Sequence, residues 1–138
     1  MIDKFYGDYG FLSNFWLTPV VFDGEVYPSS EHAFQAAKSL DKSERKKIRE
    51  CETPGKAKSM GARVALRSDW ETIKDGVMLD LIREKFKDKD LRDRLIATGT
   101  NELIEGNNWN DTYWGVCNSI GKNMLGKLLM QVRNEIKS

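Results

Sequence analysis

Glu31, Gln35 and Lys38 stand four and three residues apart in the stretch Ser29-Ser30-Glu31-His32-Ala33-Phe34-Gln35-Ala36-Ala37-Lys38. On a helix turning about 100° per residue they fall within roughly 60° of one another, so an acid, an amide and an amine share one line. Ala33, Ala36 and Ala37, with Leu40, take the opposite face and allow close packing. Such a line is either a solvated polar face or the floor of a site. His32, the chain's one histidine, sits beside the acid, and Phe34 flanks the line. Neither suits a wholly solvated face. His32 lies about 100° around the helix from Glu31, so a structural hydrogen bond is expected of it rather than chemistry.

Two further groupings could serve a ligand. Lys56, Met60, Arg63 and Arg67 are spaced by four, three and four and are expected on one helical face, with Lys74 a turn into the next helix. These cations either pair with the chain's 21 acids or grip an anion. The loop Glu105-Gly106-Asn107-Asn108-Trp109-Asn110-Asp111-Thr112-Tyr113-Trp114-Gly115 sets three aromatic residues among glycine and asparagine. Aromatic side chains are poor choices for a solvated loop. They are either core plugs or a wall on which a planar base stacks. Asp111 and Glu105 could accept hydrogen bonds from a base or a ribose. Ser13 and Asn14 could satisfy backbone in a turn. Acid, basic face and aromatic loop together fit a pocket for a phosphorylated nucleoside-like ligand.

The elements that must position these residues are legible in outline. Residues 3 to 27 read as short strands and turns. Val20-Val21-Phe22, Asp23-Gly24, Glu25-Val26-Tyr27 is a hairpin with a two-residue Asp-Gly turn, ended by Pro28. The helix of Glu31 follows, N-capped by the serines. Asp41-Lys42-Ser43-Glu44 resembles a capping box and opens a charged surface helix to about Glu50. Thr53-Pro54 starts another helix. Asp69 is expected to cap the next, whose stripe is Trp70, Ile73, Val77 and Leu81, flanked by Met78, Ile82 and Phe86. A shorter helix, Leu91 to Thr98, closes on Gly99. Asn101 to Glu105 reads as a short strand and Gly106 to Gly115 as an irregular loop. A last helix runs from about Ile120 to Ile136, with Leu125, Leu128, Leu129 and Val132 inward. Gly121 and Gly126 each cost about 1 kcal/mol there relative to alanine, which implies close packing or a ligand near the helix start. The fold class is α+β and predominantly helical, a short N-terminal β-hairpin region followed by a compact helical domain.

Composition narrows the function. With 138 residues and no repeat, low-complexity tract or linker, one domain over residues 1–138 is expected. A net charge of +1 argues against non-specific binding of phosphate backbones, though not against a local basic pocket. No apolar run approaches 18 residues, and Met1-Ile2-Asp3-Lys4 lacks the apolar segment of a signal peptide. A cytoplasmic protein without membrane partners is expected. Cys51 and Cys117 are isolated, and with a single histidine neither a zinc site nor any other metal is expected.

Several blocks of the chain resemble the NADAR family. The first is Phe11-Leu12-Ser13-Asn14-Phe15 with Pro19, and the most specific is Gly24-Glu25-Val26-Tyr27-Pro28 running on to Lys38. Gly55-Lys56-Ala57-Lys58 leads through Gly61 and Arg63 to Leu66-Arg67-Ser68-Asp69-Trp70, then Lys74 and Met78. Lys85-Phe86, Leu95, Thr98-Gly99 and Leu103-Ile104-Glu105 come next. Trp109-Asn110-Asp111 precedes Trp114-Gly115, and Gly121 to Gly126 with Leu129-Met130 and Arg133 completes the set. Asn110 departs from the pattern, which more often has glycine there. The resemblance implies a mostly helical α+β fold and hydrolysis of an N-glycosidic bond to ribose, without a cofactor. It implies a small phosphoribosyl or ADP-ribosyl substrate. That is either a ribosylamino-pyrimidine 5′-phosphate of riboflavin synthesis or ADP-ribose on guanine, including guanine in nucleic acid. It makes Glu31 the catalytic carboxylate, with Lys38 and Asp111 as further groups for chemistry. Asn14, Phe15, Gln35, Lys56, Arg63, Arg67, Asp69, Trp109, Trp114 and Gly115 become substrate-binding candidates. A non-catalytic module binding NAD or ADP-ribose is the alternative.

Overall fold

A computed structural model describes residues 1–137. The described chain divides into two compact units. One is Asn14–Lys85; the other joins Met1–Ser13 to the segment that begins at Phe86.

The first unit is organised around one short helix. β1 (Leu17–Phe22) and β2 (Glu25–Ser29) form the expected antiparallel hairpin. Asp23 and Gly24 turn it at φ 48° and 80°, the doubly positive φ that an Asp-Gly turn supplies. β2 extends through Pro28 instead of ending there. Pro28 sits where the register shifts between the Leu17–Ser29 and Val20–Tyr27 pairs, so its missing N–H breaks no regular ladder. α1 (Ser30–Ala37) follows directly, then α2 (Lys42–Arg49), α3 (Pro54–Gly61) and α4 (Trp70–Lys85). α1 packs against both strands and against α2, α3 and α4. All eight of its residues are therefore buried, and the polar line is not a solvated face.

Asp41 caps α2 through the N–H groups of Ser43 and Glu44. The box is not closed by Glu44, whose carboxylate instead accepts the Ser39 hydroxyl, while Ser39 Oγ accepts the Asp41 N–H. On α4 the buried face is Trp70, Met78, Leu81, Ile82 and Lys85, with Phe86 just beyond. Ile73 and Val77 are only half-buried, so the stripe is rotated toward the residues expected on its flank.

In the second unit, Gly7–Leu12 is a 3₁₀ helix where strands and turns were expected. Phe11 and Leu12, at its end, are both buried. α5 (Lys89–Ala97) is capped by Asp88 and leaves through Gly99 at φ 66°. The strand expected over 101–105 is reduced to one parallel bridge, Ile2 with Leu103. The paired residues lie later, in β3 (Gly106–Asn107), parallel to β4 (Val116–Cys117). α6 (Met124–Lys137) begins four residues after the expected start. Asn118, Ser119 and Asn123 hold positive φ, and a tight Cys117–Ile120 turn precludes helix there. Gly121 and Gly126 answer to packing: a Cβ would strike the carbonyl oxygens of Gly115 and Leu103 respectively.

Candidate active site

The site is built outward from the start of α1. Ser29 accepts the His32 N–H through its hydroxyl at 3.1 Å, satisfying an N-terminal donor of the helix. The same hydroxyl meets His32 Nδ1 at 2.7 Å, and His32 Nε2 donates to the Cys51 carbonyl at 2.9 Å. Both ring nitrogens are spent on structure, which is the role expected of this histidine.

Glu31 and Gln35 are 8% and 4% exposed. One turn apart, they meet as the spacing requires: Gln35 Nε2 donates to Glu31 Oε2 at 2.6 Å. The Glu31 N–H donates to the Asn14 carbonyl at 3.0 Å, which sets Asn14 beside the acid. The Asn14 amide reaches the Met78 sulfur at 3.3 Å, and Phe15 next to it is exposed. Lys38 lies half-buried at the far end of the line, its Nζ 5.9 Å from the Phe34 ring centre. Burial pushes its amine below the ordinary lysine range; the Glu31 carboxylate opposes that fall and the Lys58 charge adds to it. A buried carboxylate and an amine nearer neutrality thus face one electrostatic neighbourhood, the arrangement that acid–base and covalent chemistry use.

The basic residues do not share one helical face. α3 ends at Gly61, so Arg63 and Arg67 lie beyond it. Lys56 and Arg63, with Cys51, Thr53, Gly55, Ser59 and Met60, line an open depression of about 490 Å³. Neither Glu31, Gln35 nor Lys38 belongs to that lining. Lys56 pairs with Glu52 at 3.2 Å. Arg67 instead finishes α1. Its N–H donates to the Lys38 carbonyl at 2.8 Å and its guanidinium reaches the Ala37 carbonyl at 3.4 Å, a cation at a helix C-terminus. Two bonds, at 2.7 and 3.2 Å, join it to Asp69, which holds that carboxyl below its usual range. Asp69 precedes α4 and gives its carboxylate to Arg67.

The aromatic loop belongs to the other unit and is held by its own polar side chains. Asp111 Oδ1 accepts the N–H groups of Tyr113 and Trp114 at 3.1 and 2.9 Å. Asn107 accepts from the Asp111 N–H and donates to its carbonyl. Tyr113 and Trp114 meet edge to face at 4.9 Å, and Trp109 is 56% exposed. Asn110 takes φ 66°, supplying with asparagine the conformation that the family's usual glycine would. Gly115 has no room for a side chain, because Glu105 lies against it.

Two charged residues of the Asn14–Lys85 unit stood in the family blocks of the sequence without being given a role. Lys58 is the α3 cation whose field reaches Lys38. Lys85 is 2% exposed, and burial lowers its amine to about 7. Its signal was present: it stands three and four residues after Ile82 and Leu81, inside an apolar face. Among the described residues no cluster of three or more His, Cys, Asp or Glu side chains could hold a metal. No described helix is long and apolar enough to cross a membrane.

The NADAR domain model matches residues 4–137. The N-glycosidase YbiA of Shigella boydii is 44% identical over 133 residues, covering 94% of this chain and 82% of that protein. A riboflavin biosynthesis protein of Vibrio vulnificus is 36% identical over 134 residues, covering 94% of this chain and 36% of that protein. The solution structure of Escherichia coli YbiA superposes with a TM-score of 0.85 at 41% identity, covering 99% of this chain and 87% of that one. With its family blocks in order on the α+β fold just described, the chain belongs to the NADAR family.

Proposed function

We propose that the protein is an N-glycosidase that hydrolyses the C1′–N bond between a ribose carrying phosphate or ADP and a base or amino-pyrimidine. The observation that carries the reading is the buried Glu31 carboxylate, braced by Gln35 and electrostatically coupled to Lys38. The likeness to YbiA, named as an N-glycosidase, supports the reaction class. The Vibrio protein's name supports a riboflavin-pathway substrate, with ADP-ribosyl-guanine as the second class to test.

Breaking the C1′–N bond leaves positive charge on the ribose and negative charge on the departing nitrogen. In this reading Glu31 stabilises the cationic sugar and takes a proton from the attacking water. Water oxygen bonds to C1′, and the leaving nitrogen acquires a proton. Lys38, its amine shifted down by burial, is the group to donate that proton or to capture an opened ribose as a Schiff base. Asn14, Phe15 and Gln35 would contact the sugar. Lys56, Arg63, Arg67 and Asp69 are proposed for the phosphate side on their motif positions, as are Asp111, Trp109, Trp114 and Gly115 for ribose and base. The whole span 1–138 is proposed to act as one cytoplasmic domain.

The test is incubation with ribosylamino-pyrimidine 5′-phosphate, ADP-ribosyl-guanine and NAD, with chromatography of released base. Wild type is expected to release base from at least one, and Glu31→Gln to bind that substrate without turnover. An active Glu31→Gln would sink the assignment; tight binding with no release by wild type would favour the binding module. Borohydride with substrate distinguishes the two routes, since only the Schiff base is trapped on Lys38.

A further inference from the structure

Gly61 is a family position that the proposed chemistry leaves without a role. It is the last residue of α3 and is buried. Its backbone is helical, where alanine is ordinarily the better residue, so conformational freedom does not account for it. Its surroundings do. α3 packs on α1, and a Cβ on Gly61 would collide with the Gln35 side chain, most severely with its amide oxygen. That oxygen is buried and has no hydrogen-bond partner among the described residues. The other end of the amide donates to Glu31 at 2.6 Å. A buried amide with one end unsatisfied is not oriented by its hydrogen bonds alone. Here the carboxylate attracts the nitrogen, and the bare Cα of Gly61 leaves room for the oxygen.

We propose that Gly61 is a positioning residue: its missing side chain opens the slot in which the Gln35 amide lies, and through that amide it holds the Glu31 carboxylate in place. This rests on the reading of Glu31 as the catalytic carboxylate. Any side chain at 61 pushes the amide off the carboxylate, which then loses a donor that favours its charged form.

The test compares Gly61→Ala, Gln35→Met and the double variant with wild type. Methionine keeps the length of the glutamine and removes its N–H. The Glu31 carboxyl is followed by carbon-13 NMR, assigned through its loss in Glu31→Gln, across a pH titration. Lys38, whose charge is coupled to Glu31, and Lys58, whose charge is coupled to Lys38, are the same in every form. The titration midpoint is expected to rise by about one pH unit in Gln35→Met, to rise similarly in Gly61→Ala, and to rise no further in the double. In the base-release assay both single variants are expected to lose about tenfold in kcat, and Gly61→Ala, at a residue with no substrate contact of its own, is expected to keep KM within about twofold. An unmoved midpoint in either single variant, or shifts that add in the double, overturns the proposal. Should Gly61→Ala not fold, its thermal transition is expected to recover when Gln35→Ala is added; a methyl no better tolerated there overturns it too. A wild type that releases no base removes the glycosidase reading alone, since the carboxyl titration still decides the role of Gly61.

Discussion

Replacing Lys85 by methionine is expected to stabilise the protein at neutral pH, and to do so less as pH rises. Lys85 is buried at the end of α4, and burial takes its amine from the ordinary 10.5 down to about 7. The unfolded chain binds its proton up to pH 10.5, the folded chain only to about 7. Between those values unfolding takes up a proton, so wild-type stability climbs with pH across that window and is lower by the full linkage energy beneath it. The difference of 3.5 units in pKa corresponds to about 5 kcal/mol. About 4 kcal/mol of this is still felt at pH 7, and less than about 1 at pH 10. Methionine fills similar volume and carries no charge to desolvate. Losing the contacts of the amine offsets about 1–2 kcal/mol, leaving a gain of about 2–3 at pH 7. The assay is urea unfolding of both forms from pH 6.5 to 10, followed by circular dichroism. Their difference cancels every other titrating group. It is expected to fall by about 3 kcal/mol between pH 7 and 10. A difference independent of pH would mean that the amine keeps its ordinary affinity for protons inside the fold, and the reasoning from burial would fail.

Other perturbations reach the site. Ser29→Ala removes the cap of α1 and the partner of His32 Nδ1, and should cost about 1–2 kcal/mol in urea unfolding. Glu31→Gln should lower the Lys38 pKa further and Lys58→Met should raise it, because the first removes the opposite charge and the second the like charge; NMR titration of the Lys38 side chain reads both. Asp111→Asn keeps an oxygen for the Tyr113 and Trp114 N–H groups, so those amides should stay protected from hydrogen exchange. Asp111→Ala should expose them and cost about 1–3 kcal/mol.

What the sequence disclosed follows the range of the forces involved. The Asp-Gly hairpin, the serine cap of α1, the Thr53-Pro54 start and the Gly99 stop rest on neighbours within four residues, and all are found. The Glu31–Gln35 contact was legible for the same reason, as a pair one helical turn apart. The end of α3 was not: spacing carried Arg63 and Arg67 onto one face, whereas Arg67 is drawn to the open carbonyls of α1 some thirty residues earlier. Burial of the whole of α1 was equally hidden, since it depends on five elements closing around eight residues. The burial of Lys85, quoted only as a family position, was not foreseen because a lysine reads as surface until its neighbours are known, although its place in the stripe argued otherwise.

The division of the chain bears on the order in which it can form during synthesis. Asn14–Lys85 is one uninterrupted piece, so the five elements described as packing on α1 have emerged once residue 85 has left the ribosome. The other unit is not continuous: Ile2 pairs with Leu103, 101 residues later. At about 5–20 residues per second the opening segment waits some five to twenty seconds for its partner. During that interval Ile2, Phe11 and Leu12 have no core of their own to enter. The segment carrying Glu31 can be complete while the first thirteen residues are still waiting, which makes those residues the ones that a nascent-chain chaperone would meet exposed.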